Sequence, residues 1–272
     1  MSEQDAIYRA GDAPATIDSL ARDLAALGVA EGGVLLVHSS LSALGWVCGG
    51  AVAVIAALKR ALGKTGTLVM PTHSGDLSDP AKWEHPPVPE PWWPIIRETM
   101  PPYAPDVTPT RGMGVIPECF RRQPGVSRSD HPQLSFAAYG PHAATITENH
   151  QLTDGLGDAS PLGRLYALQA QVLLLGVGHA NNTSLHLSEI RALGDQMPQV
   201  HQAAPIAVNG QRQWVEFITA DVNSDDFPQI GKAFEQQTGL VEVGHVAAAS
   251  ARLMPQPVLV DFGEEWIRQH RC

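Results

Sequence analysis

Apolar residues recur along the chain at two periods, and the alternation between them marks out its elements. Ile17, Leu20, Leu24 and Leu27 share one helical face, with Thr16 in the N-cap position and Gly28 to end the helix, which predicts a helix over 17–27. VLLVHSS at 34–40 is an almost unbroken apolar run and reads as a buried strand. Gly49 and Gly50 introduce AVAVIAALKRAL at 51–62, a buried helix closed by Gly63, and GTLVMPT at 66–72 is the next strand. Strand, loop, helix, strand is a βαβ unit with parallel pairing. AQVLLLGV at 170–177 begins a second strand-to-helix unit, its helix starting near Asn182 or Thr183. Shorter helices are expected near Gly114 to Arg122, from Pro141, and over 161–168. PIAVNGQRQWVEFIT alternates on both sides of Asn209-Gly210, a two-residue hairpin signal.

The pattern lapses at 73–109, where HPPVPEPWWP and MPPYAP leave no room for a regular strand or a long helix. Such a segment is either a lid or binding wall, or a rigid surface excursion held by Trp83, Trp92 and Trp93. The chain has 272 residues, 44% hydrophobic and 17% charged, which suits one domain spanning 1–272. A formal charge of -10 argues against nucleic acid or an anionic membrane as partner and mildly favours a cationic ligand. MSEQDAIYRAGDAP has no basic segment leading into an apolar one, and no apolar run is long enough to span a bilayer, so a cytoplasmic location is expected. Cys48, Cys119 and Cys272 are far apart and lack CxxC spacing, so neither a disulfide framework nor a cysteine zinc site is indicated.

Candidate chemistry concentrates in LLLGVGHANNTSLHLSEIRA, residues 173–192. His186 and Glu189 stand three residues apart on one helical face, where a carboxylate can hold an imidazole in one tautomer and make it a better base. The pair lies just past the carboxyl end of a buried strand, where open α/β sheets place their ligands. The same spacing also occurs as an ordinary surface pair, and His179 in the intervening loop reads as solvent-facing structure. A zinc protease would need HExxH or HxxEH, yet Ile190 follows Glu189, so no metal is expected. A serine hydrolase would need a GxSxG elbow, which HSSLSALG lacks. HSSLSALGWVCGGA offers hydroxyls and a glycine-marked helix N-terminus that suit a phosphate-bearing ligand, with Arg111 and Arg128 as further donors. The same residues also fit a plainer reading, with the serines ending a strand and the arginines solvated.

Taken in order, LLVHSSLSALGWVCGG, GTLVMPT, TRGMGVIPECFRRQPGVSRSDHPQLSFAAYG, DGLGDASPLGRLYAL and VLLLGVGHANNTSLHLSE resemble the aminoglycoside 3-N-acetyltransferases of the antibiotic N-acetyltransferase family. The match spans most of residues 16–192 and loosens beyond it. The resemblance implies an α/β fold, a three-layer α/β/α sandwich with a mixed sheet, and acetyl-CoA as donor without a metal. It places Thr183, His186 and Glu189 on the family's T..H..E pattern, with His186 as general base and Glu189 as its orienting carboxylate. It implies acetyl-CoA along His38, Ser39, Ser40, Leu41 and Ser42, near Arg111, Gly112 and Met113, and against Arg128, Ser129 and His131. Backbone amides around Ser39 to Leu41 would then hold the oxyanion.

The implied acceptor is the 3-amino group of a cationic aminoglycoside, with antibiotic resistance as outcome and a monomer or homodimer as the working unit. A polycation calls for carboxylates: Asp76 in the proline-rich loop, and Asp221, Asp225 and Asp226 as a group beyond the hairpin. Rival readings are acetylation of a non-antibiotic amine, a serine or metal hydrolase, and a non-catalytic CoA-binding sensor.

Overall fold

The computed structural model describes residues 3–271, so Cys272 lies outside the described residues. It begins with helix α1 (Glu3–Ala10), which the sequence pattern did not announce, followed by α2 (Ile17–Leu27). Thr16 and Ser19 form a reciprocal capping box, Ser19 N–H donating to Thr16 Oγ1 at 3.1 Å and Thr16 N–H to Ser19 Oγ at 2.9 Å. The first βαβ unit is β1 (Val34–Ser39), a 3₁₀ turn at Leu41–Leu44, α3 (Gly50–Leu62) and β2 (Thr67–Pro71).

After the proline-rich excursion, which contains α4 (Trp93–Thr99), come α5 (Val115–Phe120), β3 (Ser127–Arg128), β4 (Phe136–Tyr139), α6 (Ala143–Thr147) and α7 (Pro161–Ala167). The second unit is β5 (Gln171–Leu175) and α8 (Ser184–Leu193). The chain then forms the hairpin β6 (Gln199–Val208) and β7 (Gln211–Ala220), and ends with α9 (Phe227–Thr238), β8 (Glu242–Val246), β9 (Ala249–Pro255) and α10 (Gln256–His270).

Seven strands form one mixed sheet in the order β3-β4-β2-β1-β5-β9-β8. Its centre, β2, β1 and β5, is parallel, and both flanks are antiparallel. Strands buried on both faces carry apolar residues at every position, and alternate residues serve opposite cores. Leu35 and Val37 of β1 and Leu173 and Leu175 of β5 pack with Leu24, Ile55, Leu58 and Phe120 from α2, α3 and α5. Leu36 of β1 with Val172 and Leu174 of β5 packs on the other face with Leu162, Leu185, Ile230, Phe234 and Leu259 from α7 to α10. The three-layer α/β/α expectation therefore holds.

β6 and β7 pair as a separate ribbon. Asn209 and Gly210 are both left-handed, with φ of 51° and 75°, the geometry a type I′ turn requires. The excursion docks on this ribbon: Tyr103 N–H donates to Pro205 O at 2.9 Å and the Arg212 guanidinium to Met100 O at 2.7 Å. It is a built strut, with Trp83 Nε1 on Ser78 Oγ and Arg97 on Asp79.

Candidate active site

The carboxyl ends of the parallel strands open onto a cleft of about 960 Å³. β1 delivers His38 and Ser39, followed by Ser40, Leu41 and Ser42; β2 leads through Thr72 to His73; β5 leads to Val177 and, by way of Ala180 to Thr183, to His186 on α8. Gly112, Met113 and the start of α5 close one side, and Ser224 and Phe227 at the start of α9 close another. The β5 and β1 loops approach so closely that Gly176, at φ 70°, has no room for a side chain: a Cβ there would collide with that of Ala43.

At the wall of this cleft His186 Nδ1 meets Glu189 Oε2 at 3.1 Å. Glu189 is 1% exposed, and its other oxygen accepts from Asn223 N–H at 2.9 Å and from Arg271 Nη1 at 2.6 Å. With these donors on one oxygen the carboxylate is an acceptor toward the ring as well, so the hydrogen sits on Nδ1 and the lone pair is left on Nε2. Phe227 packs edge-on against the ring, 4.7 Å between centroids, and fixes its plane. The arrangement can take a proton from a group bound in the cleft.

Two further histidines face His186. Burial, reinforced by the nearby His186, lowers His38 and His73 to about 3, so both rings are neutral. Their Nε2 atoms, and Ser39 Oγ, are buried without a hydrogen-bond partner. Groups of this kind are expected where a ligand completes the hydrogen bonding. His73 was missed in the sequence, although the rule that open α/β sheets place ligands at the carboxyl ends of strands applies to it: it lies two residues past β2.

The structure gathers His38, Ser39, Ser40, Leu41, Ser42, Gly112, Met113, Thr183 and His186 around the cleft, with Glu189 behind His186. Several expected residues lie elsewhere. Arg128 is buried beneath the sheet edge, and all five donors of its guanidinium are taken: Nε by Ser135 Oγ, Nη1 by Pro105 O and Thr108 O, Nη2 by Thr72 O and Ser74 Oγ. It ties the excursion to β3 and β4 and has nothing left for a ligand. Ser129 accepts from Phe136 N–H and pairs with His150, and His131 Nδ1 accepts from Gln133 and Leu134 N–H. Neither lines the cleft among the described residues.

The side chain of Arg111 leaves the cleft to pair with Asp76 at 3.3 Å, both well exposed. Asp226 is claimed by Arg271 through both oxygens, and Asp221 and Asp225 are exposed without lining the cleft. Ser40 N–H already donates to Leu175 O at 2.9 Å, which removes it from the expected oxyanion donors. His179 is neither solvent-facing nor in the cleft. It is buried under α9, where Gly231 makes room for its ring, and it bonds Glu235 at 2.8 Å. Of the excursion only its first residue, His73, lines the cleft among the described residues, and 74–111 do not.

A mixed α/β/α sheet with an imidazole–carboxylate pair at its strand ends is a frame suited to an enzyme that moves protons on a bound ligand, and comparison with known proteins supplies the class. The chain belongs to the aminoglycoside 3-N-acetyltransferase family, whose model matches residues 36–268. It is 48% identical over 254 residues to the SPbeta prophage-derived aminoglycoside N(3')-acetyltransferase-like protein YokD of Bacillus subtilis, covering 93% of this chain and 92% of that one. It is 37% identical over 283 residues to aminoglycoside N(3)-acetyltransferase VIII of Streptomyces fradiae, covering 98% and 96%. The crystal structure of YokD superposes with a TM-score of 0.92 at 46% identity, covering 95% of each chain. AAC-VIa bound to sisomicin superposes at 0.85 with 30% identity (94% and 98% covered), and AAC-IIIb in binary complex with CoASH at 0.82 with 32% identity (94% and 97%).

Proposed function

We propose that this chain transfers the acetyl group of acetyl-CoA to the 3-amino group of a 2-deoxystreptamine aminoglycoside, with His186 as general base and Glu189 as the carboxylate that orients it. The observation that carries the reading is the buried, fully bonded Glu189 behind a cleft-facing His186. The neighbours bound to CoASH and to sisomicin support the two ligand classes.

The acceptor amine is protonated at neutral pH and cannot attack until it loses a proton. That first proton goes to solvent, and His186 Nε2 takes a second as the now neutral nitrogen attacks the thioester carbonyl carbon. The tetrahedral oxyanion then collapses, the C–S bond breaks, and His186 returns the proton to the leaving sulfur, giving amide and CoA thiol. The neutral Nε2 donors available from His38 and His73 suit the oxyanion, in place of the Ser40 amide. Ser39, Ser40 and Ser42 with the N-terminus of α3 at Gly50 suit the polar and phosphate groups of the donor.

One observation favours a second reading, acetylation of a smaller or less cationic amine: among the described residues the cleft lining carries a single carboxylate, Glu3. The test is incubation with acetyl-CoA and a panel of gentamicin, kanamycin, neomycin, apramycin and sisomicin, following thiol release and locating the acetyl group by NMR. Transfer to the 3-amino group, lost in His186→Ala with acetyl-CoA binding retained, is expected. Full activity of His186→Ala would sink the base assignment, and thiol release only with other amines would establish the second reading.

A further inference from the structure

Arg271 lies 82 residues from Glu189 in sequence, immediately beyond α10, yet it makes the shortest hydrogen bond to that carboxylate. What brings it there is the crossing of α10 over α8. The two helices touch so closely that a Cβ on Gly263 would stand 2.6 Å from Ser188 Oγ, beside Glu189. From the end of α10 the guanidinium then reaches three groups. Nη1 donates to Glu189 Oε1 at 2.6 Å, Nε to Asp226 Oδ2 at 2.6 Å, and Nη2 to Asp226 Oδ1 and to Asn223 O. Asn223 in turn donates its N–H to the same Glu189 oxygen.

We infer that Arg271 is a positioning residue for the acetyl-transfer base, holding Glu189 aimed at His186 Nδ1 and drawing Asp226 into that clamp instead of leaving it to meet the acceptor. The inference rests on the proposed His186–Glu189 mechanism and extends it to the last turn of the chain. A carboxylate at 1% exposure with the guanidinium removed would keep only the Asn223 amide and the imidazole as partners. In a low-dielectric site such a group takes up a proton. A protonated Glu189 donates to Nδ1, which moves the imidazole hydrogen to Nε2 and leaves no lone pair facing the cleft. The consequence is a wrong tautomer more than a lost contact. The charged and titratable groups around His186 are His38 from β1, His73 beyond β2, Glu189 on its own helix, Arg271 beyond α10, and, through Arg271, Asp226 before α9.

The experiment compares the whole protein with Arg271→Ala and Arg271→Lys, using ¹⁵N NMR of the histidine rings, with His186→Gln to assign the His186 signals, and the pH profile of acetyl-CoA-dependent transfer. Arg271→Ala is expected to move the ring hydrogen of His186 from Nδ1 to Nε2 near neutral pH and to lower kcat on the order of 10²-fold. The acid limb of its profile should move to higher pH, with the KM for acetyl-CoA within about twofold of the parent, since donor contacts are untouched. Arg271→Lys, which keeps the charge but not the fork, should fall between, and added guanidinium ion should restore part of the Ala variant's rate. An unchanged tautomer and acid limb in Arg271→Ala would overturn the inference, even if thermal stability and rate fall together. Retained transfer in His186→Gln would instead refute the base mechanism, while the NMR tautomer still reports on Arg271 without any turnover.

Discussion

Lowering the pH from about 7.5 to 5.5 should remove roughly 5 kcal/mol of folding stability, because four histidines lowered by burial, His38, His73, His131 and His150, must stay neutral in the native state. His38, His131 and His150 are 5%, 0% and 6% exposed, and burial lowers their pKa values from 6.5 to about 3, about 3 and about 4. The second influence is a like charge for His38 and His131, from His186 and His150 respectively, whereas for His150 a hydrogen bond to Gly155 O pulls the other way. With native values below those of the unfolded chain, the unfolded state binds more protons between pH 6.5 and about 4. Stability is therefore full above 6.5 and falls with pH through that window. At pH about 5.5 each unfolded histidine is some nine-tenths protonated and each native one nearly unprotonated, which is worth about 1.3 kcal/mol per group relative to pH 7.5. These three groups give about 4, and His73, lowered to about 3 by the same burial, brings the total to about 5, a large share of the ~5–15 kcal/mol that holds a typical domain.

Carboxylates do not blur this window. Glu118 is partly buried, but Arg121 and Thr110 hold it down to about 2, so its contribution is lost only below 4.5. The assay is urea unfolding at the two pH values, read by the fluorescence of the six tryptophans. His131→Asn keeps an acceptor for the Gln133 and Leu134 amides and should shrink the difference by about 1 kcal/mol. Unfolding curves that coincide at pH 7.5 and 5.5 would refute the reasoning.

Two further outcomes follow from the packing. Arg128→Lys should cost about 3 kcal/mol of stability, since an ammonium cannot serve five acceptors in fork geometry, with acetyl-CoA affinity of the folded fraction unchanged; calorimetric titration that shows selective loss of acetyl-CoA binding would return Arg128 to the cleft. Gly176→Ala should cost about 2 kcal/mol from the clash with Ala43 and the positive φ, and adding Ala43→Gly should recover only the clash, leaving about 1 kcal/mol; full recovery in urea unfolding would show that φ carries no strain.

The legible part of the fold was the part buried on two faces. β1, β2 and β5 carry continuous apolar runs because each meets a helical layer on either side, and α2 and α3 are framed by Thr16, Gly28 and Gly63. The C-terminal third was harder. β8 is an edge strand with mostly exposed positions, so EVGHV has no apolar alternation to find, and α10 buries only scattered positions such as Leu259, Val260 and Ile267.

The sequence by itself determined the βαβ frame, the hairpin at Asn209-Gly210, and the pairing of His186 with Glu189, because each depends on residues a few positions apart. Only the tertiary structure decided which charges are already spent. Asp226 looked like an acceptor contact and is clamped by Arg271, Arg128 looked like a ligand donor and is saturated by carbonyls, and His73 joins His38 at the cleft. Hydrogen-bond capacity is a property of neighbours, and those neighbours are 82 residues away for Glu189 and 56 for Arg128, a separation that no local pattern encodes.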